Sequence, residues 1–515
     1  MPDWLVKILR KHKPAEADKP TSSDKPAPEK KKEQEQQDCG MASFAALFEG
    51  DDTFVSRQFL CGSRQVCIAF LNGMVSNEII DLHIVDPIQH AEPPQRGDIG
   101  QWLTDEIVSV NEVARHEHLD EMAAAITTGD TVLFFEGMEG AISFNTKQWM
   151  TRSISEPEAE KVLRGPREGF NESLVVNTTL IRRRLQTPDL KFEFRKLGRR
   201  AHVTCAVCYL KGLVNEAVLS EVHKRLDSID IDALLSVNYI EEIIMDSPLS
   251  MFPTIGNTER PDVVVAKLLE GRIAIMLDGS CAVITAPHVF VEMFQANDDY
   301  YNNFIMGSVS RMLRILGFVL TIMIPAAYLS LVTIHHEMVP TGLLLSIYAA
   351  RQGVPLPTVV ELFLMLVVFE LLRESGARLP SFLGQSLSIV GGLVLGQAAV
   401  QAKFISAPAV IVVAFAGITG LLIPRLATAT LLLRVVFLLL SSVIGLYGLM
   451  LGMSGLLIYL SGLKSFGVPF MYGTSNFHFQ EYKDSIIRAP WWLQRMRPRH
   501  ISTQDSVRQS RNERP

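Results

Sequence analysis

The chain has 515 residues, enough for two or three domains, and its 49 basic residues nearly balance its 55 acidic ones, for a formal net charge of −6. This balance excludes the strongly basic surface expected of a nucleic-acid-binding protein. The mean hydropathy of +0.20 is high for a soluble protein, because apolar runs dominate from Leu313 to Phe466 while charged residues recur every few positions before Phe304. We therefore predict a two-part soluble domain of α+β or α/β structure, followed by an α-helical transmembrane bundle.

No motif in the chain indicates catalysis. The six cysteines are too few for a disulfide framework, and Cys205 and Cys208 form a C-x-x-C pair inside AHVTCAVCYLKG, an alternating segment typical of a strand. A zinc site would need a second pair of ligands, which is not visible. A Ser/His/Asp arrangement or a nucleotide-binding loop is not present in a matching context either. We predict that the protein is not an enzyme and has no cofactor or metal.

The first two predicted domains are residues 1–43 and 44–150. Residues 1–43 are predicted to be a disordered tether, because the stretch from Lys11 to Gln37 has almost no large apolar residue to bury. Residues 44–150 form a first mixed α/β subdomain. In it RQVCIAFLNGMV indicates a strand, DTVLFFEGMEGAISFN a hairpin, and DEIVSVNEVARHEHLDEMAAAI one helix or two short ones.

Residues 151–304 form a second mixed α/β subdomain that leads into the membrane. KFEFRKLG and RRAHVTCAVCYLKGLV are predicted strands, and EAVLSEVHKRLDSI is a predicted amphipathic helix. In FPTIGNTERPDVVVAKLLEGRIAIMLDG, proline starts a helix, glycine ends it, and an Asp-Gly turn opens a hairpin. HVFVEMFQANDDYYNNF then predicts a helical face before the first apolar run. We interpret this block as a rigid adaptor, and the candidate coupling residues are Asn257, Glu259, Arg260, Pro261 and Asp262.

Residues 305–466 are the predicted transmembrane domain, and residues 467–515 are a basic cytoplasmic tail. A span needs about 20 predominantly apolar residues. Four segments qualify: Leu313–Ile334, Phe382–Val400, Val410–Pro424 with its flanks, and Leu431–Leu460. The last is long enough for one tilted helix or a tight hairpin. Pro340–Gly376 is apolar but interrupted by prolines and charges. It is either re-entrant or interfacial, or its segment Val359–Leu372 crosses the membrane.

Basic residues flank both ends of the apolar region and favour the cytoplasmic side. Arg311 and Arg314 precede the first span, and Arg488, Arg495, Arg497 and Arg499 follow the last. Both termini are therefore predicted to be cytoplasmic, and the number of crossings is even, either four or six.

Two features of the apolar region are candidates for a pore or a gate. Glu361 is an ionisable residue in apolar sequence, where such a side chain faces water or a partner, although a purely structural role is the competing interpretation. Gln385, Ser388, Gly392 and Gly396 fall on one stripe of a predicted helix. Such a stripe either lines water or packs closely against a neighbouring helix.

Four segments together identify a family: SLVVNTTLIRRRL, DSPLSMFPTIGNTERPDVVVAKLLEGRIAIMLDG, RESGARLPSFLGQSLSIVGGLVLGQAAVQAKFISAPAVIVVA and KDSIIRAPWW. Over residues 153–500 the sequence resembles the A subunit of GerA-type spore germination receptors. The resemblance implies a protein of the endospore inner membrane that works with a transporter-like, nutrient-binding B subunit and a C-subunit lipoprotein. It also implies a homo-oligomer, expected as a pentamer, that forms a ligand-gated channel for monovalent cations.

Other functions remain open at this point. A non-conducting scaffold would pack the same glycine-rich helices without a pore, and a sporulation-stage relative of the A subunit, which amplifies germination, shares the same architecture. A secondary transporter would need interrupted helices in matching halves, and the sequence has one interrupted region without a match.

Overall fold

The computed structural model describes residues 41–94, 97–148, 160, 162, 164–378, 391–392, 394–472, 484–498, 501 and 507–508. Within these residues two antiparallel five-stranded sheets with their helices come first, and helices follow from Phe304, with one small two-stranded hairpin after the last long helix. The predicted order of an α+β part and a helical part is confirmed. The predicted tether lies outside the described residues except at 41–43, which begin a helix.

The first subdomain surrounds a sheet of order β1-β2-β4-β5-β3. Its elements are α1 Met41–Leu47, β1 Phe54–Cys61, β2 Arg64–Leu71, α2 residues 77–90, α3 residues 99–107, β3 Val113–His116, α4 Leu119–Thr128, β4 Thr131–Phe135 and β5 Ala141–Phe144. The predicted strand β2 and hairpin β4–β5 are confirmed. For DEIVSVNEVARHEHLDEMAAAI the alternative of a single helix is wrong, because Val113–His116 lies between the helical segments α3 and α4, pairs with β5 and extends the sheet edge.

The second subdomain surrounds a sheet of order β6-β7-β9-β10-β8. Its elements are α5 Leu174–Arg182, β6 Leu190–Leu197, β7 Val203–Leu210, α6 Glu216–Asp227, α7 Val237–Ile244, β8 Gly256–Thr258, α8 Pro261–Leu268, β9 Ile273–Leu277 and β10 Val283–Ala286. The predicted β6, β7, α6, α8 and the hairpin β9–β10 are confirmed. The helical face predicted after β10 falls on a 3₁₀ turn, Phe290–Phe294, which is followed by one short helix, Asp298–Tyr301.

The two subdomains repeat one topology. Numbered within its own sheet, each strand order is first, second, fourth, fifth, third. Gly129 after α4 and Gly271 after α8 both have positive φ, and each precedes a five-residue strand by two positions. Gly137 and Gly279, again with positive φ, then turn that strand into its hairpin partner. The repeat therefore defines corresponding positions in the two subdomains.

A buried ion pair joins the two subdomains. Arg182 on α5 donates to Asp51, and both side chains are at most 2% exposed. Asp52 extends the contact along the edge of the second sheet, since its N–H donates to the carbonyl of Phe192 over 2.8 Å. Thr179 adds a hydrogen bond of 3.1 Å to the carbonyl of Gly73. Because polar groups of both subdomains satisfy each other at this contact, the two sheets are held as one body.

The helical domain comprises α9 Phe304–Thr333, α10 Thr341–Arg351, α11 Thr358–Arg378, α12 residues 394–401, α13 Ala407–Gly420, α14 Ala427–Ile444 and α15 Leu446–Gly462. Two described helices, Phe304–Thr333 and Pro424–Ile444, are long and apolar enough to cross a membrane. Leu431–Leu460 is not one helix. Gly445 has φ +67° between α14 and α15, which confirms the hairpin alternative. Most of Phe382–Val400 lies outside the described residues.

Candidate functional site

The sheet domain meets the helical domain at a region that we call the junction. There α8, β9, β10 and the turn Phe290–Phe294 meet the first turns of α9 and the C-terminal segment 484–498. The small hairpin β11 Lys464–Ser465 and β12 Val468–Pro469 closes one side, where Ser465 Oγ accepts the N–H of His288 at 3.0 Å. The junction therefore contacts both ends of the helical domain, the start of α9 and the chain after α15.

Four charged or titratable side chains form what we call the junction cluster: Lys267, Arg272, His288 and Glu292. Glu292 is its centre. Arg272 donates to Glu292 Oε1 over 2.5 Å, while His288 Nδ1 and Lys267 Nζ lie 2.9 and 3.2 Å from Oε2. Glu292 also accepts the backbone N–H of Val289 at 3.0 Å. One carboxylate thus joins α8, β9 and the segment after β10.

Burial and charge shift the pKa values of this cluster in opposite senses. Burial would raise the pKa of Glu292, but Arg272, His288 and Lys267 lower it well below its ordinary value. Burial lowers the pKa of His288 to about 4, against the effect of Glu292. Burial likewise lowers the pKa of Lys267. At neutral pH the cluster therefore contains an ionised glutamate and a neutral histidine.

A second buried group ties α9 to the C-terminal segment. Arg311 is fully buried, and its guanidinium lies 3.3 Å from Asp299 and 3.0 Å from Asp484. Arg314 also pairs with Asp299. Tyr300 donates its hydroxyl to Asp484 over 2.8 Å. Burial raises the pKa of Asp484, and Arg311 opposes that effect. Because Asp484 belongs to the tail and Asp299 to the linker, Arg311 connects both to the first long helix.

The predicted coupling residues lie together at the corner between β8 and α8. Arg260 has no exposed surface and reaches Asp262 at 2.8 Å and the carbonyl of Pro166 at 2.8 Å. Asp262 accepts the hydroxyl of Tyr301 in the linker. Pro261 is the first residue of α8, as predicted. Asp262 is thus the member of this group whose side chain is hydrogen-bonded to the linker before α9.

Asn257 and Glu259 lie on the other side of that corner. Asn257 is exposed and donates to the side chain of Asn238 over 2.8 Å. The carbonyl of Glu259 accepts the N–H of Phe170 at 2.8 Å. Both residues line a groove of about 580 Å³ whose far wall includes Arg314 and Arg425 of the helical domain. The five predicted residues are therefore brought to one corner but divided between its two sides.

The described residues of the first subdomain do not repeat the junction cluster. When the repeats are superimposed by their glycine turns, the lysine, arginine and histidine of the cluster correspond to Ala125, Asp130 and Thr146. Thr146 forms a hydrogen bond of 2.8 Å with the hydroxyl of Thr131 instead. The buried charges are thus a specialisation of the repeat that contacts the helical domain.

The junction residues Lys267, Arg272, His288, Glu292, Asp299 and Asp484 were not among those predicted from the sequence. One signal was present: Glu292 stands in the apolar run HVFVEMF, where an acidic residue requires a buried partner. Asp484 follows the last apolar helix by more than twenty positions, and its contact with Arg311 has no sequence pattern.

The structure buries the predicted pore candidate Glu361 completely. Its Oε1 accepts the backbone N–H of Ser406, the residue before α13, and its Oε2 lies 4.0 Å from Nε of Arg351 at the end of α10. Within one subunit Glu361 therefore joins the ends of three helices and does not face solvent. Its role in a pore or gate stays a prediction.

The predicted stripe is described in part. Gln385 and Ser388 lie outside the described residues. Gly396 is buried, and a Cβ atom there would lie 3.5 Å from Val410. Gly392 is half-buried, and its Cβ would lie 3.9 Å from Leu372. Both glycines thus lie beside neighbouring helices at ordinary contact distance, and a water-lining role for the stripe stays a prediction.

Two arginines used for the predicted orientation are not free surface charges. Arg311 is fully buried, and Arg488 is 3% exposed with its guanidinium 5.5 Å from the ring centre of Trp491. Their charges are balanced or covered inside the junction, so the orientation of the chain rests on fewer flanking arginines than the sequence suggested.

Comparison with known proteins places this geometry in a family. The family model for "Bacillus/Clostridium GerA spore germination protein" matches residues 42–500 and therefore includes both sheets, the junction and the helical domain. The chain belongs to the GerA family. The predicted family resemblance, which covered residues 153–500, is confirmed and extends to the first subdomain.

Similar proteins support the same assignment along nearly the whole chain. Spore germination protein KA of Bacillus subtilis is 41% identical over 87% of this chain and 83% of its own length. Spore germination protein GerLA of Bacillus cereus is 35% identical over 89% of this chain and 94% of its own. The uncharacterized membrane protein YfkQ of Bacillus subtilis is 38% identical over 92% of this chain and 93% of its own length. This chain is thus related to spore germination proteins and to a membrane protein.

One solved structure is similar in sequence to the sheet domain. It is the crystal structure of the N-terminal domain of the A subunit of the Bacillus megaterium spore germinant receptor GerK3, with 29% identity and a TM-score of 0.39. The match covers 48% of this GerA-family chain and 94% of the solved chain.

Proposed function

We propose that this chain is the A subunit of a spore nutrient germinant receptor, and that copies of it assemble into a ligand-gated channel for monovalent cations in the endospore inner membrane. A transporter-like B subunit binds the nutrient, and a C-subunit lipoprotein completes the receptor. Release of cations through the channel starts germination. GerA-family membership and the names of the relatives support the receptor assignment.

The single observation that carries the coupling mechanism is the buried connection between sheet, helix and tail. Arg311 on α9 contacts Asp299 in the linker and Asp484 in the tail, while Glu292 joins the linker to α8 and β9. Interiors this closely packed transmit displacement because they change between discrete arrangements and do not deform smoothly. A movement of the second subdomain would therefore reach α9 and the tail together.

Six membrane crossings agree best with the helices of the chain. The turn at Gly445 makes α14 and α15 a hairpin, and α11 is an uninterrupted helix of 21 residues. Both termini are on the spore-core side in this arrangement, and the 11-residue α10 lies at the outer surface of the membrane. The six segments that cross the membrane are α9, α11, Phe382–Val400, α13, α14 and α15. Because the hairpin counts as two crossings, an even total requires α11 to cross as well, which favours six crossings over four.

The pore in this proposal is lined by the stripe Gln385, Ser388, Gly392 and Gly396, and Glu361 acts in gating. Arg351 and Ser406 hold the Glu361 carboxylate at the ends of α10 and α13, so a change in those contacts would move two helices next to the stripe. Small polar residues along a helix suit either a water-lined wall or close packing.

Ion flux through the full chain in liposomes, alone and with its partner subunits and nutrient, tests the proposal. Gly392→Leu is the informative variant, because Gly392 meets Leu372 at 3.9 Å and has some space around it. We expect the potassium flux to exceed the chloride flux. We also expect Gly392→Leu to reduce the potassium flux. Gly455→Leu is the control, since a Cβ atom at Gly455 meets no described atom within 4 Å.

The outcomes separate the channel from a scaffold. If ion flux occurs only with the partner subunits and nutrient, the chain is part of a receptor channel. If Gly455→Leu reduces the flux as much as Gly392→Leu does, the stripe does not line the pore. A tight bilayer under all conditions, with folded and assembled protein, rejects the channel and leaves the scaffold.

A further inference from the structure

A cavity of about 270 Å³ lies inside the junction, and we call it the junction cavity. One face of α8 forms its first wall through Asp262, Ala266 and Lys267, which recur at helical spacing. Tyr300 of the linker and Trp491 of the C-terminal segment form the facing walls. The cavity is therefore bounded by the three parts of the chain that a coupling movement would displace relative to one another.

Each acidic residue that lines the cavity already has a partner in the protein. The acids and their partners are Asp262 with Arg260 and Tyr301, Glu270 with Arg272, Glu292 with Arg272 and Lys267, and Asp484 with Arg311 and Tyr300. Each pair balances the charge of its carboxylate, so the acids leave the cavity without an excess of negative charge.

The basic residues that line it keep unused donors. Lys267 donates to Thr285 at 2.9 Å and approaches Glu292 at 3.2 Å, which leaves one of its three N–H donors within the described part of the chain. Arg425 pairs with Glu160 through one terminal nitrogen and is 37% exposed. Arg508 stacks its guanidinium 5.5 Å from the ring centre of Trp491. An arginine has five N–H donors, so Arg425 and Arg508 can both bind a further acceptor.

We propose that the junction cavity binds a small oxyanion, held by Lys267, Arg425 and Arg508 against the aromatic wall of Tyr300 and Trp491. Oxyanions suit this donor set because guanidinium and ammonium groups form short, charge-assisted hydrogen bonds to carboxylate, phosphate and sulfate oxygens. The bound anion would connect α8, the start of α14 and the tail, and so would stabilise one arrangement of the junction. That last consequence rests on the proposed function, whereas binding itself does not.

The oxyanion has two possible sources, a soluble ion and the headgroup of an anionic lipid. Sulfate is the probe for the first, because its charge is constant over the pH range of interest. The full chain is placed in phosphatidylcholine nanodiscs and titrated with sulfate by calorimetry, with chloride at matched ionic strength as the reference. The second arm repeats the titration in nanodiscs that contain phosphatidylglycerol, which would weaken sulfate binding by competition if a headgroup occupies the cavity.

Arg425→Gln and Lys267→Met are the test variants, and Arg57→Gln is the matched control. Arg57 is an exposed arginine that pairs with Asp81 at 3.0 Å in the first subdomain. We expect Arg425→Gln to weaken sulfate binding about tenfold, as the loss of one charge-assisted hydrogen bond implies, and the control to bind as the unchanged protein does. Sulfate affinity should also fall as the pH rises and Lys267 loses its proton. The charged and titratable groups that face Lys267 are Glu292, Arg272, His288 and Arg425.

Weaker binding in either test variant, with the control unchanged, supports the proposal. Absence of sulfate binding to the folded protein in phosphatidylcholine nanodiscs overturns it, as does equal binding in both variants and the control. If Lys267→Met does not fold, Arg425→Gln decides alone. Because the titration measures binding without ion flux, its failure is distinguishable from failure of the proposed channel.

Discussion

At the scale of single residues, the junction depends on charges that are buried and paired. Arg311, Arg272 and Glu292 are each at most 7% exposed in their side chains, and each has an opposite charge within 3.3 Å. Such pairs contribute little net stability compared with apolar side chains of the same size, but removing one partner leaves the other charge buried alone. These residues therefore fix the geometry of the junction more than its stability.

Replacing Arg311 with leucine should destabilise the protein strongly. The change leaves Asp299 and Asp484 without their shared partner, and we expect a loss of about 3–5 kcal/mol, measured from the thermal unfolding of the full chain in detergent. Arg57→Leu, which breaks the exposed pair with Asp81, should cost about 0–1 kcal/mol. Equal losses of stability in the two variants would show that the buried ion pairs of Arg311 contribute no more than an exposed pair does.

Protonation of His288 should make the folded state less stable in mild acid. Its pKa is lowered by burial from 6.5 to about 4, so the unfolded chain takes up a proton in this range and the folded chain does not. Stability should therefore fall as the pH drops from 6.5 to 4, by up to about 3 kcal/mol. Glu292, whose pKa is lowered, adds a further loss at lower pH.

The measurement is the thermal unfolding midpoint against pH for the unchanged chain and for His288→Gln. We expect the variant to lose most of the slope between pH 6.5 and 4. His83→Gln, at an exposed histidine, should keep it. A slope that survives in His288→Gln would assign the pH dependence to other groups.

At the scale of elements, glycines determine how closely the last two helices pack. A Cβ atom at Gly448 on α15 would lie 2.3 Å from the carbonyl oxygen of Leu440 on α14, which is too close for any side chain. At Gly455, two turns later on the same helix, a Cβ atom meets nothing within 4 Å. The hairpin therefore packs closely near its turn, where Gly445 is in a conformation that favours glycine, and is more open farther along.

Alanine at these two positions should have opposite effects. Gly448→Ala should separate α14 from α15 and cost about 1–3 kcal/mol, because a backbone atom cannot move aside as a side chain can. Gly455→Ala should be neutral or stabilise the helix by up to about 1 kcal/mol. The thermal unfolding midpoints of the two variants in the same detergent measure the difference, and a neutral Gly448→Ala would contradict this packing.

At the scale of the whole molecule, two copies of one topology have separate tasks. The second repeat carries the junction cluster and contacts the helical domain, whereas the first has Ala125, Asp130 and Thr146 at the corresponding positions. The ion pair of Arg182 with Asp51 joins the first repeat rigidly to the second. A ligand or partner that moves the first subdomain would therefore act on the junction through this pair.

Asp51→Ala should uncouple the two subdomains. It leaves the guanidinium of Arg182 buried without its acid and removes a hydrogen bond to Thr53. We expect calorimetry to show two unfolding transitions of the sheet domain where the unchanged chain shows one, with a destabilisation of about 3–5 kcal/mol. Asp81→Ala, at an exposed pair, should keep a single transition. A single transition in Asp51→Ala would place the coupling elsewhere.

Elements whose pattern is local were predictable from the sequence. Pro261 and Gly271 bound α8, and the turn Asp278–Gly279 sets the hairpin β9–β10, because proline fixes φ and glycine adopts the positive φ that these turns require. The strands β2 and β7 and the helix α6 also follow from short-range periodicity. Family membership was likewise present in the sequence, since the motifs extend through both parts of the chain.

Long-range contacts were decided by the tertiary structure alone. Val113–His116 is a strand because it pairs with the free edge of β5. The sequence of these four residues does not by itself predict that pairing. The pairing of Arg311 with Asp484 joins residues 173 positions apart, and no spacing rule relates them. Local patterns specify the turns and periods of the backbone, whereas the position of each buried charge depends on the elements that fold against it, because a charge is tolerated inside only where an opposite charge or hydrogen-bonding group meets it.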